Sequence, residues 1–161
     1  MAVPSFLLAI ALVAILGASL ANVVIALTVV ETPRVVRLTR GSVLSLRERD
    51  FVQGAEAVGA NGPRILVVHI FPNVAAPLLV QGTYIFALAI LVEAGLSFLG
   101  AGVPPYIPSW GNMMGEAKTY IHLAAWLAFF PGLFLSLTVL GANLVGDGLR
   151  DKLDPRLRHT L

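Results

Sequence analysis

Gly54-x-x-x-x-Gly59 has the spacing of a phosphate-binding loop. Such a loop holds phosphates on backbone N–H groups and needs a Lys-Ser/Thr pair directly after its second glycine. Here Ala60-Asn61 follow, and no preceding strand is predicted, so ATP is not bound by this motif. The histidines stand at 69, 122 and 159, with neither a His-Glu-x-x-His pattern nor paired-ligand spacing, so no metal site is expected. The serines, at 5, 19, 42, 45, 97, 109 and 136, have no nucleophile-elbow context. Cysteine is absent, which excludes disulfides and thiolate-held metals. No catalytic residue and no cofactor are expected, and the chain does not read as an enzyme.

Two features of another kind remain. Glu93 is the carboxylate within a membrane-length apolar run, and an intramembrane acid is a functional candidate by default. It lies near the outer end of its helix, so the first expectation is that it reaches water or caps a loop. Lining a pathway is the second. The other feature is Asp50-Phe-Val-Gln53, the pattern of a capping box with an acceptor at the N-cap and Gln three residues on. Behind it Phe51, Ala55 and Val58 share one helical face, Gly59 is placed to end the helix, and Gly62-Pro63 follows as a break. The spacing predicts a short amphipathic helix over about Phe51–Val58. Gly54 and Ala55 are small enough for a partner to come close. A helix lying on the lipid surface has the same periodicity.

These residues need elements to hold them, and composition says of what kind. The 161 residues are 57% hydrophobic and only 12% charged, against about 25% charged in globular domains. Mean hydropathy is +0.85. The expected class is an all-α integral membrane protein in a lipid bilayer. A net charge of +2 gives no reason to expect nucleic-acid binding. Met1-Ala-Val-Pro lacks a positive n-region, so no secretory signal is expected.

The helices are expected over about 6–16, 20–38, 74–96 and 124–145. Gly17-Ala-Ser-Leu-Ala-Asn22 separates the first two. Eleven residues span only about 16 Å, roughly half a bilayer core. Pro72-Asn73 is expected to break the chain before the third helix. Gly100–Tyr120, rich in Gly and Pro, reads as part of an outer loop over 97–122, with Trp110 at the interface. Asn22 and Asn143 are expected to make interhelical hydrogen bonds. Ten of the eleven Lys and Arg fall in Glu31–Asn73 and Gly146–Leu161, with Lys118 alone between runs. Basic loops stay on the cytoplasmic side. Residues 39–73 and the tail 148–161 are therefore expected inside the cell, which gives a multi-pass topology with a cytoplasmic C-terminus.

The stretch Asp50-Phe-Val-Gln-Gly-Ala-Glu-Ala-Val-Gly-Ala, with Arg64-Ile-Leu-Val-Val-His-Ile-Phe-Pro-Asn73 after it, resembles the EAA loop of ABC-importer permeases. Gln53-Gly54-Ala55 takes the Glu-Ala-Ala positions and Gly59 the glycine; His69, Pro72 and Asn73 match the ending seen in the dipeptide, oligopeptide and nickel branch. Further matches to that branch are Glu93-Ala-Gly-Leu-Ser-Phe-Leu-Gly100, Pro108-Ser-Trp-Gly-Asn-Met113, and Asn143 to Asp151 with Asp154-Pro155. The resemblance runs from about Pro4 to Arg158 and covers the C-terminal half of the family's usual length. Met1 then falls inside what would be a third helix, and residues 1–147 form a partial type I importer transmembrane domain.

The resemblance implies a permease subunit that pairs with a second permease subunit in the cell membrane. A cytoplasmic ATPase would grip the Gln53–Gly59 helix, and an external binding protein would deliver peptides or nickel. ATP hydrolysis belongs to the partner. Gln for Glu at 53 and Gly for Ala at 54 depart from the pattern; the glycine costs about 1 kcal/mol of helix propensity. The alternative is a permease remnant that acts only as a membrane interaction protein, without transport.

Overall fold

The structure, a computed structural model, describes residues 5–153. The motif positions Asp154-Pro155, the basic residues Arg156 and Arg158, His159 and the rest of the expected tail lie outside the described residues. The described elements are helical: α1 Ser5–Leu16, α2 Leu20–Arg47, α3 Asp50–Ala57, α4 Gly62–Phe98, α5 Trp110–Ala117 and α6 Trp126–Leu153. A 3-10 turn, Lys118–Tyr120, follows α5.

Helices α4 and α6 are long and apolar enough to cross a bilayer, and only 11% of each apolar window is buried within the chain. A helix buried in a soluble core would be covered by its own chain; these present their side chains to something else. α1 is apolar along its length but shorter than a span. The fold is that of an all-α integral membrane protein.

The residues group into two compact units, with α2, α4 and α6 each contributing to both. One unit contains the described residues up to Thr32 together with Tyr84–Leu144. Its core is Ala9 and Val13 of α1, Val23 and Ala26 of α2, and Val92 and Leu96 of α4. The other contains Pro33–Thr83 and the described residues from Val145. Its core is Val52 of α3 with Ile65, Ile70 and Val74 of α4. α6 approaches α4 closely in this second unit: a Cβ on Gly146 would strike Thr83 Oγ1 and lie 3.2 Å from Thr83 Cβ.

Several boundaries differ from the expected ones, each for a physical reason. α2 continues to Arg47 instead of ending near 38, because its Arg and Leu residues are good helix formers in water. Pro72 does not break the chain. Residues Ile65–Ile70 wind as a π-helix, and the Phe71 N–H bonds to the Leu66 carbonyl five residues back. The wider turn lies directly before the proline, whose ring and missing N–H would otherwise conflict with a regular α-turn. Pro63 does not interrupt either: it sits in the first turn of α4, where no donor is required. Within the expected loop 97–122 stands α5, whose N-cap Ser109 accepts from the Asn112 N–H at 3.1 Å. Finally, α6 runs on through Lys152 into the expected tail.

Asn22 of α2 bonds across to the end of α1, the helix packed on it. Its Nδ2 donates to the Leu16 and Gly17 carbonyls at 2.8 and 2.9 Å, so it closes the C-terminal end of α1. Asn143 is exposed on α6.

Candidate docking helix and apolar groove

α3 forms where the sequence placed a short amphipathic helix, and its two ends show how. The N-cap is Arg49, in extended conformation and without a side-chain cap. The expected capping box is absent, since Asp50 is already helical. Gln53 Nε2 does reach back, but donates to the Glu48 carbonyl five residues earlier at 3.3 Å instead of accepting from an N–H three residues earlier. At the other end Gly59 has φ +81°, and its N–H bonds to the Glu56 carbonyl at 2.9 Å. Glycine takes this left-handed conformation without the Cβ penalty.

One side of α3 is buried against α4. Val52 is fully buried, at 0% exposure, against Ile65, Ile70 and Val74. Ala55 packs at the edge of the same cluster. Phe51 and Val58, read from periodicity as one face with Ala55, are 46% and 84% exposed. Val52 is thus the anchor that sequence periodicity passed over. It lies about 100° from Phe51 on the helix, and eight residues are too few to define one apolar stripe. Nothing lies within 4 Å of a Cβ built on Gly54 or Gly59, so the surface beside Phe51 is open. The result is a helix fastened by Val52 that shows an aromatic ring, a valine and two glycines outward.

His69, Pro72 and Asn73 lie on α4, in and just after the π-helical turn under α3. The structure links two of them directly: Asn73 Nδ2 donates to the His69 carbonyl at 2.7 Å. A side-chain donor thereby serves a carbonyl beside the turn that the proline perturbs. Pro72 contributes the perturbation and Asn73 a bond within it.

Glu93 belongs to the other unit. Its Oε1 accepts from Ser97 Oγ at 2.7 Å, and Ser97 Oγ in turn accepts from the Val103 N–H at 3.0 Å. The loop after α4 is thereby tied to the helix. Asn112, buried on α5, adds to this: its Nδ2 lies 3.2, 3.1 and 3.0 Å from the Val103, Pro104 and Ile107 carbonyls. α5 comes close enough to α4 that a Cβ on Gly111 would meet the Ala94 carbonyl oxygen and lie 2.7 Å from Ser97 Cβ. In the motif Pro108 to Met113, then, Ser109 caps, Gly111 permits contact and Asn112 holds the loop. Ser109 as an N-cap was the available signal for this helix; three nearby prolines hid it.

Glu93 also borders an apolar groove of about 660 Å³, with walls from α2, α4 and the Val103–Met113 segment. Val23, Leu27, Phe86, Ile90, Ile107 and Trp110 are among its lining, and no Lys, Arg or His is. Among the described residues no cluster of His, Asp and Glu fits a metal ion.

Residues 1–159 match the family model described as the binding-protein-dependent transport system inner membrane component. Curated relatives agree. The "Probable peptide ABC transporter permease protein y4tQ" of Sinorhizobium fredii is 49% identical over 159 residues, 99% of this chain and 55% of the relative. The di/tripeptide transport system permease protein DppC of Pseudomonas aeruginosa is 50% identical, over 99% of this chain and 52% of its own length. The dipeptide transport system permease protein DppC of Escherichia coli K12 is 49% identical, over 99% of this chain and 53% of its own length. The chain thus spans about half the length of the relatives it matches. This is a family of transport components rather than enzymes, and its description and apolar helices put the chain in the inner membrane. On its sequence and its all-helical membrane fold together, the chain belongs to the binding-protein-dependent transport system inner membrane components.

Proposed function

We propose that this chain is a membrane-spanning permease component of an ATP-driven importer for short peptides, with α3 as the helix through which a partner ATPase acts. The observation that carries the reading is α3 itself: Val52 fastens it to α4 while Phe51 and Val58 are left open beside two glycines. A surface helix serving only its own fold would turn its largest side chain inward; this one turns Phe51 outward. The relatives named for dipeptides, di/tripeptides and peptides support the substrate class.

On this reading Glu31–Asn73 and the basic end of α6 face the cytoplasm, and the Phe98–Trp126 connection faces outward toward a substrate-binding protein. A second permease subunit covers part of the exposed apolar surface of α4 and α6. ATP binding and hydrolysis occur in the partner, whose motion reaches α4 through the π-helical turn packed on α3. Co-expression with the cognate ATPase tests the reading. The wild-type chain retains the ATPase through purification, and Phe51→Asp loses it while staying folded. Equal retention by both overturns it.

A further inference from the structure

The groove beside Glu93 has a composition that selects among ligands. Among the described residues its lining is apolar apart from Ser109 and the Glu93 carboxylate, and includes no cationic side chain. Glu93 is half-buried beside apolar walls, where a carboxylate gains from a hydrogen-bonded counter-charge. Ser97 Oγ donates to one oxygen, Oε1, at 2.7 Å. This fixes the carboxylate's position without neutralising its charge.

We propose that this groove is a binding site for the free α-ammonium end of a short apolar peptide, with Glu93 as the ammonium acceptor. The proposal rests on the permease reading and specifies the substrate contact within it. The ligand's ammonium pairs with Glu93, and its first side chain lies against Phe86, Ile90 and Trp110. An ammonium is a hydrogen-bond donor as well as a counter-charge, so the contact is charge-assisted. An N-acetylated peptide of the same sequence offers the same apolar surface with neither the charge nor the donors, so it discriminates this site from simple hydrophobic uptake.

Trp110 lines the groove and supplies the readout. The chain has two tryptophans, so Trp126→Phe leaves Trp110 as the sole tryptophan, excited selectively at the red edge of the absorption band. Dileucine and N-acetyl-dileucine are titrated against this protein in lipid nanodiscs. Dileucine is expected to saturate the emission change, with the acetylated peptide binding about tenfold weaker or worse. Glu93→Gln keeps an oxygen for Ser97 to donate to, and should abolish that difference. Equal binding of the two peptides, no response to either, or an undiminished preference in Glu93→Gln overturns the site. The peptide-side comparison needs no altered Glu93, so it stands even where that variant folds poorly. Crosslinking from α3 to the ATPase does not involve the groove. A crosslink without amine preference overturns this site alone, whereas amine preference without a crosslink supports the site and counts against the docking reading.

Discussion

Lys118 closes the end of α4 at Phe98: its Nζ donates to the Phe98 carbonyl at 2.6 Å and lies 3.6 Å from the centroid of the same residue's ring. A helix C-terminus leaves carbonyls without partners and carries partial negative charge, and an ammonium answers both. The basic residue that stands alone between the two apolar runs therefore has a local structural task. Lys118→Met should lower stability by about 1 kcal/mol, the sum expected for one charge at a helix end and one exposed cation–π contact. Thermal unfolding in detergent at low salt measures it, and added salt should narrow the gap between variant and wild type.

The packing of α5 on α4 gives a graded glycine series. Gly111→Ala drives a methyl into the Ala94 backbone and should cost about 1–3 kcal/mol. At Gly115 the nearest atom to a new Cβ is the Phe98 carbonyl oxygen at 3.4 Å, so Gly115→Ala should be milder. Gly41, within α2 and with nothing inside 4 Å, should gain roughly 0.5–1 kcal/mol on becoming alanine. Melting temperatures ranked Gly41→Ala, Gly115→Ala, Gly111→Ala from highest to lowest are the expected order.

Asn112 holds three loop carbonyls, so Asn112→Leu should free the Val103–Ile107 segment. Taking this donor from the buried Val103 carbonyl costs about 1–3 kcal/mol. Limited proteolysis should cut this segment faster in the variant, while cleavage between α2 and α3 stays at the wild-type rate.

How much of this was legible beforehand depended on the kind of signal. Turns set by glycine were readable: Gly17 at φ +92° ends α1, and Gly59 at +81° closes the turn after α3. The apolar runs were readable because a membrane demands length and absence of charge, and both are properties of sequence. Three features were not. Pro72 reads as a break, because sequence does not show that Ile65–Ile70 wind wide enough to admit it. The end of α2 is expected near 38, and the helix instead runs on to Arg47 with no proline after Pro33 to stop it. On α3, which side faces inward was decided by Val52 meeting Ile65, Ile70 and Val74, residues distant in sequence. Glu93, Pro108 to Met113 and Asn73 were singled out as motif positions, and only geometry assigned them the Ser97 bond, the loop ties and the His69 bond.

The left-handed turn after α3 gives a test of helix position separate from its surface chemistry. Gly59→Val should cost about 1–2 kcal/mol, because a β-branched residue is strained at that φ, while Gly59→Asn should cost less. A Cβ there meets nothing within 4 Å, so any defect arises from the backbone rather than from crowding. On the proposed reading Gly59→Val also weakens retention of the ATPase, and Gly59→Asn largely preserves it.

The central claim, that α3 presents Phe51 and Val58 to a partner ATPase, is tested most directly by a crosslink. The chain has no cysteine, so Val58→Cys supplies a single thiol at a position 84% exposed. Labelled with a maleimide photo-crosslinker and irradiated in membranes containing the cognate ATPase, it should form a covalent adduct with that ATPase. Tyr106→Cys, equally exposed in the loop between α4 and α5, should form none. No adduct from Val58→Cys, or equal adducts from both positions, would contradict the account.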